Sequence, residues 1–262
     1  MVQGFQPGTK ARPGFPSRLG SSQPVAALPA NRPPLPLRLH APAGVGMDSH
    51  AVRQSMVNKL AQQGIADPLV LAAMGNVERH RFVDSALVNQ AYEDTSLPIG
   101  LGQTISKPGV VSRMLELLRN GSTSRLGRVL EIGTGCGYQA AVLSHLCTEV
   151  YSIERLRGLH DKARNNLRHL CLANVHLLFG DGMAGYAKGA PYAGIIAAAG
   201  GETLPECWLD QLAVGGRLVA PVAVGARSPG HQALVVVEKT SQGLRRTVME
   251  AVHFVPLKSG IA

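Results

Sequence analysis

The stretch that most constrains this chain is Val129-Leu130-Glu131-Ile132-Gly133-Thr134-Gly135-Cys136-Gly137-Tyr138, with Glu154 standing seventeen residues beyond the last glycine. An apolar strand runs into three glycines at alternate positions. A second strand, Val150-Tyr151-Ser152-Ile153, then ends on the acid. Glycines at a strand end let the backbone turn sharply and approach a ligand with no Cβ in the way. A carboxylate closing the next strand can accept both hydroxyls of a ribose. The dinucleotide fingerprint wants its third glycine one residue later, where Tyr138 stands, so the spacing is Gly-x-Gly-x-Gly. With no pyrophosphate to hold, this variant suits a nucleoside with a short charged tail. The alternative is a tight turn in an α/β protein of any function.

S-adenosylmethionine is such a nucleoside, so methyl transfer is the leading expectation. A chain of 262 residues with 45% hydrophobic and 16% charged residues accommodates one α/β domain, or a domain with an appendage. The formal charge of +9 raises nucleic-acid binding, but its distribution argues against it. Residues 1–46 hold Lys10, Arg12, Arg18, Arg32 and Arg38 and no acid, which leaves only +4 on the rest. Basic residues such as Arg155, Arg157, Lys162, Arg164 and Arg168 are spaced like a solvated helix face. Cys136, Cys147, Cys171 and Cys207 have neither metal-ligand nor redox spacing and read as free thiols in a reducing compartment, so a cytoplasmic protein is expected. Cys136 reads either as a reactive thiol or as a small residue that fits the loop. No apolar run reaches the roughly 18 residues of a membrane span.

Residues 1–46 contain nine of the 17 prolines and no apolar periodicity, so this segment is expected to be a disordered tail. From Asp48 the pattern changes. Asp48 or Ser49 can cap a helix reaching Gly64, Asp67-Pro68 opens a second, and a third spans Pro108 to Arg119. Alternation follows: strand 128–132, helix 138–147, strand 149–153, helix 157–170, strands 175–179 and 193–199, helix 204–213, strands 216–221 and 232–239, and an apolar segment 248–255. This order predicts an α/β fold, a doubly wound and mostly parallel Rossmann-like sheet with an N-terminal helical extension. The expected organisation is a tail at 1–46 and one domain at 47–262, with helices and a substrate loop over 47–120 and the cofactor-binding core over 121–262. In such a sheet the ligand crevice lies outside the carboxyl ends of the strands. Asp181, in Gly180-Asp181-Gly182 after the third strand, is then placed to accept an adenine amine, though an Asp-Gly pair is also an ordinary turn.

The residues between the helices are more specific. Ala91-Tyr92-Glu93-Asp94-Thr95-Ser96-Leu97-Pro98-Ile99-Gly100-Leu101-Gly102-Gln103-Thr104-Ile105-Ser106 closely resembles the signature region of protein-L-isoaspartate O-methyltransferases. Further matches are Arg79-His80-Arg81-Phe82-Val83, Gly135-Cys136-Gly137-Tyr138-Gln139-Ala140-Ala141, Gly180-Asp181-Gly182 and Phe254-Val255-Pro256-Leu257, so the resemblance covers roughly residues 53–257. It implies a repair enzyme that methylates the free carboxylate of L-isoaspartyl residues in damaged proteins and peptides, using S-adenosyl-L-methionine. It further implies that Glu131, Gly133, Thr134, Gly135, Gly137, Glu154, Arg155, Asp181 and Gly182 serve the cofactor. Thr104 and Ser106 then meet the isoaspartyl carboxylate, and Ile105 and the segment Phe254-Val255-Pro256, Val255 above all, border the peptide. Capping of the helix at Pro108 is the other reading of Thr104 and Ser106.

Several positions depart from the family pattern: Glu78, Lys107-Pro108-Gly109, Ala193, and Ala198-Ala199-Gly200. The last two are expected beside the site. Lys107 reads as a solvated lysine, or as a residue that helps hold the substrate carboxylate or a downstream acid. A monomer that binds neither nucleic acid nor membrane is expected. Two rivals stay open: a methyltransferase for small molecules on the same fold, and an adaptor that binds cofactor and altered proteins without turnover.

Overall fold

A computed structural model describes residues 50–224 and 231–262, together with Met1. The expected tail over 1–46 and the expected cap at Asp48 or Ser49 lie outside the described residues. The domain opens with helices α1, His50–Gln62, and α2, Pro68–Asn76. Asp67 caps α2 by accepting from Leu69 N at 2.9 Å, and Pro68 fills the first turn, where a missing N–H costs nothing. The other oxygen of Asp67 accepts from Arg119 Nε at 2.7 Å, with the arginine side chain 1% exposed. Removing one partner from a pair this deep costs about 3–5 kcal/mol. That contact fastens α2 to α3, Pro108–Arg119. Between them the chain forms a hairpin of β1, Leu97–Gly100, and β2, Gln103–Ile105, whose turn puts Leu101 at φ 51 and Gly102 at φ 68.

The core then alternates: β3 (Leu126–Ile132), α4 (Tyr138–Leu146), β4 (Cys147–Glu154), α5 (Arg157–Leu167), β5 (Val175–Phe179), β6 (Tyr192–Ala197), α6 (Glu206–Gln211), β7 (Leu212–Ala223), β8 (Gln232–Thr240) and β9 (Gly243–Val252). The seven-stranded sheet has the order β5-β4-β3-β6-β7-β8-β9; all pairings through β7 are parallel, and β8 and β9 add antiparallel edge strands. Side chains alternate between its two faces, each covered by its own apolar core. Val129, Val150, Ile196, Val219 and Leu234 join the core that includes α3 and α4. Leu130, Ile153, Ile195, Leu218 and Val235 pack on the other side with Tyr192 and Trp208. The architecture is the doubly wound sheet read from the sequence. Chain order reverses between β3 and β6, so a crevice opens at the carboxyl end of β3.

Three local expectations need adjustment, and one element was not anticipated. The helix expected over 157–170 stops at Leu167 and tightens into a 3₁₀ turn, Arg168–Leu170. The helix expected over 204–213 shrinks to the six residues of α6, because Leu212 already pairs with Tyr192 in the sheet. The segment expected at 248–255 begins earlier, as β9, whose mostly exposed residues give no apolar alternation. The β1–β2 hairpin had no counterpart in the sequence reading.

Candidate active site

A cavity of about 440 Å³ opens at the carboxyl ends of β3 and β4. Gly133, Thr134 and Gly135 from the loop after β3, Glu154 and Arg155 at the end of β4, and Gly182 after β5 all line it. The loop is glycine for a steric reason: Gly133 and Gly135 have φ 90 and 57, and a Cβ on Gly135 would come 3.1 Å from Ile99 Cδ1. Glu154 is 5% exposed, and backbone groups fix its carboxylate. Gly135 N donates to Oε2 and Leu156 N to Oε1, each at 2.9 Å. A carboxylate accepts about four hydrogen bonds, so acceptor capacity remains for a ligand.

Three residues expected in this site lie off the cavity wall. Gly137 sits at the start of α4 with φ 91, and a Cβ there would stand 3.1 Å from Leu167 Cδ1, so its glycine admits α5 against α4. Asp181 accepts from Met183 N at 2.8 Å and from Gly260 N at 2.6 Å, tying the turn after β5 to the end of the chain. Glu131 is fully buried beneath the loop. It accepts from Ser152 Oγ, which is itself 2.6 Å from Thr134 Oγ1. Burial pushes the Glu131 carboxyl up to about 8, so it is largely protonated at neutral pH. Its Oε1 is buried with no partner among the described residues. The thiol of Cys136 is likewise buried and pushed up to about 11, so it is not a thiolate nucleophile at neutral pH and reads as a small residue that fits.

The opposite wall comes from the hairpin and from the segment after β9. Thr104, Ile105, Ser106 and Val255 all line the cavity. Thr104, Ser106, Ala198 and Val255 also line a second, open groove of about 860 Å³, so the two spaces meet at these side chains. Thr104 is exposed and Ser106 half-buried. Capping of α3 does not fall to either: Asp94 Oδ1 accepts from Gly109 N at 2.7 Å, and Lys107 occupies the N-cap position. The departure at Gly109 follows from this contact, since a Cβ there would lie 2.9 Å from that oxygen. Lys107 Nζ lies 3.6 Å from Asp94 Oδ2, so the acid it meets stands upstream of it in the chain rather than downstream.

Pro256, Leu257 and Lys258 also line the cavity. Gly200 N donates to Val255 O and Leu257 N to Gly200 O, both at 2.8 Å, which seats this strap on the departure at Ala198-Ala199-Gly200. Arg155 Nε donates to Gly260 O at 2.7 Å and continues the seam. Ala193 is not at the site. It lies at the entry to β6, where a Cβ on Gly127 would meet it at 3.3 Å, because parallel strands put their beginnings at the opposite edge.

A family model described as protein-L-isoaspartate(D-aspartate) O-methyltransferase matches residues 51–262. A protein-L-isoaspartate O-methyltransferase of Methylibium petroleiphilum is 56% identical over 266 residues, covering 97% of this chain and 98% of that protein. One of Leptothrix cholodnii is 58% identical over 220 residues, covering 83% and 77%. The chain belongs to the protein-L-isoaspartate O-methyltransferase family. A solved protein-L-isoaspartate O-methyltransferase superposes with a TM-score of 0.71 at 27% identity, over 80% of this chain and 67% of that one. A Plasmodium falciparum structure in complex with S-adenosyl-L-homocysteine shares the fold, with a TM-score of 0.68 at 24% identity over 79% of this chain and 98% of its own.

S-adenosyl-L-methionine is the cofactor of this methyltransferase family, and the residues present fit it. The loop glycines Gly133 and Gly135 hold positive φ angles that side-chain-bearing residues rarely adopt, Glu154 offers a fixed carboxylate at the end of β4, and the cavity has ligand size. Sequence reasoning missed part of its wall: Ile99, Leu101, Tyr138, Gln139, Leu159, and Leu257 and Lys258 beyond the Phe254-Val255-Pro256 segment that the resemblance had placed beside the peptide. The flanking glycines of Gly100-Leu101-Gly102 were the one local signal for the hairpin, since a two-residue loop with both residues at positive φ is a hairpin turn.

Proposed function

We propose that this chain methylates the free carboxylate of L-isoaspartyl residues in damaged proteins and peptides. The observation that carries the reading is the junction at Thr104 and Ser106, where the cofactor-sized cavity runs into a second, roughly twice larger groove that is open to solvent. An open groove suits a polypeptide better than a metabolite, which favours protein repair over small-molecule methylation. The cofactor supplies an electrophilic methyl group carried on sulfonium sulfur. The acceptor carboxylate, with an ordinary pKa near 4, is already ionised at neutral pH, so no residue here needs to act as a base.

The protein's work is positioning. Gly133, Thr134, Gly135, Glu154, Arg155 and Gly182 hold the cofactor, with Glu154 accepting from its ribose. Glu131, Gly137 and Asp181 support this wall from behind rather than touching the ligand. Ser106, helped by Thr104, donates to the isoaspartyl carboxylate and orients it, while Ile105 and Val255 flank the peptide. Orientation of this kind is worth up to roughly 7–11 kcal/mol of a barrier. Neutral hydroxyls suit the task, because a cationic donor would stabilise the bound carboxylate as well as the transition state. The reading includes a monomer acting in the cytoplasm, with neither nucleic acid nor membrane as a partner. Four cysteines, none paired with another, suit a reducing compartment.

The test pairs peptides that differ only in an aspartyl or isoaspartyl linkage, with radiolabelled cofactor and detection of base-labile methyl ester. Ester should form on the isoaspartyl member alone. Ser106→Ala should lower turnover by about 10- to 100-fold, the worth of one hydrogen bond to a charged group, with cofactor affinity and melting temperature kept. Equal labelling of both peptides would refute the substrate, and normal turnover in folded Ser106→Ala would refute the role of its hydroxyl.

A further inference from the structure

The groove beyond Ser106 carries its charged side chains as two pairs with different balances. Close to Ser106, Lys107 and Asp94 face each other at 3.6 Å and cancel. Farther along α3, Arg113 donates through Nε to Glu250 Oε1 at 2.8 Å and through Nη1 to Glu116 Oε2 at 3.0 Å. These two acids are not equivalent. The Glu116 side chain is 16% exposed, and its other oxygen accepts from Ala66 N at 2.7 Å and Asp67 N at 3.0 Å. It is held by backbone and stands outside the groove. Glu250 lines the groove, its side chain is 43% exposed, and Arg113 is its one ion-pair partner among the described residues. The charge of Arg113 is therefore already matched by a fixed carboxylate, which makes Glu250 the surplus negative charge on the groove wall. The remaining titratable group on that wall is His253.

Helix geometry sets the distance at which a substrate meets this charge. Arg113 follows Pro108 by five residues, about 7–8 Å of helix rise. An extended peptide advances about 3.3 Å per residue, so this spans two or three positions. We infer that Glu250 is a specificity-determining residue, favouring isoaspartyl substrates with a basic side chain two or three residues from the damaged site. The substrate cation takes the place of Arg113 at Glu250, and Arg113 stays with Glu116. This inference rests on the proposed repair activity and adds to it a preference among flanking sequences.

The experiment uses isoaspartyl peptides carrying Lys, Ala or Glu at each of the three positions on either side, with kcat/KM measured at low ionic strength. One position, two or three residues away, should favour Lys over Glu by about two- to fivefold, the range an exposed ion pair supports. The preference should lie in KM and shrink in 1 M salt, where charges are screened within about 3 Å. Glu250→Gln should bring the Lys-to-Glu ratio close to one, and Glu250→Lys should invert it. A flat ratio at every position in the parent enzyme, or an unchanged ratio in both variants, would overturn the inference while leaving the repair activity standing. Methyl ester on none of the isoaspartyl peptides would remove the repair activity, and the inference with it.

Discussion

Glu154→Ala tests the cofactor wall most directly, because this side chain has two separable tasks. Its carboxylate receives Gly135 N and Leu156 N at 2.9 Å each, and it is 5% exposed. Hydrogen bonds to charged groups contribute about 1.5–3 kcal/mol apiece, but both donors border a cavity that water enters. The expected loss of stability is therefore about 2–3 kcal/mol rather than twice that. For a domain of this size 1 kcal/mol moves the midpoint by about 2–4 °C, so melting should fall by roughly 4–12 °C. The second task, proposed above, is accepting from the ribose, and its loss should weaken binding of S-adenosylhomocysteine by about 10- to 150-fold, read by calorimetry below the new midpoint.

A looser glycine loop alone would also weaken binding, so a thermodynamic cycle is needed. Removing the ribose hydroxyls from the ligand should cost affinity in the parent protein and almost nothing in Glu154→Ala, since the partner is already gone. Equal costs in the two proteins would refute the ribose assignment and leave Glu154 as a support for the loop.

Two further substitutions separate the cavity wall from what stands behind it. Glu131 has its carboxyl raised to about 8 by burial, so the folded protein keeps a proton that the unfolded chain releases above about pH 4.5. Stability should therefore fall as pH rises from about 4.5 to 8, and Glu131→Gln, which mimics the protonated form, should flatten that profile and raise the midpoint at pH 7.5. A parent whose stability climbs over this window would contradict the buried, protonated assignment. Gly137→Ala places a Cβ 3.1 Å from Leu167 Cδ1 at φ 91, so stability should drop by about 1–3 kcal/mol in chemical denaturation. Cofactor affinity per folded molecule should be unchanged; a tenfold loss would return Gly137 to the cradle.

What the sequence made legible was whatever depends on short-range pattern. Strands β3 and β4 announce themselves by apolar runs, the loop between β3 and α4 by its glycines, and Asp67-Pro68 by its capping chemistry. The period of two along β3 also carried information that the motif obscured. Ile132 reaches the cavity while its neighbour Glu131 turns beneath α4, toward Ser152 on β4. Long-range packing was invisible: the reason for Gly137 is Leu167, thirty residues away, and the cap of α3 comes from Asp94, fifteen residues before Gly109. The β1–β2 hairpin and the strap at 256–258 have three or four residues each and no periodicity, so only family resemblance pointed to their neighbourhood.

The two halves of the crevice are built to different tolerances, and the difference follows from what each must recognise. On the cofactor side, the groups are fixed by buried hydrogen bonds and backbone geometry: Glu154 by two N–H donors, Thr134 by the Ser152 hydroxyl, which also donates to Glu131, and the loop by positive φ angles. Such groups pay their ordering cost during folding and suit a ligand that never varies. On the groove side the polar groups are exposed or half-exposed: Thr104, Ser106, the Lys107–Asp94 pair and the Arg113–Glu250 pair. Each exposed pair is worth no more than about 1 kcal/mol, so a mismatched neighbour in the substrate is penalised only lightly. A groove of that kind accepts many flanking sequences and grades them. On the proposed role of Ser106, strict selection is then left to its junction, where the carboxylate must reach the cavity, and an isoaspartyl linkage presents that group differently from an ordinary aspartate.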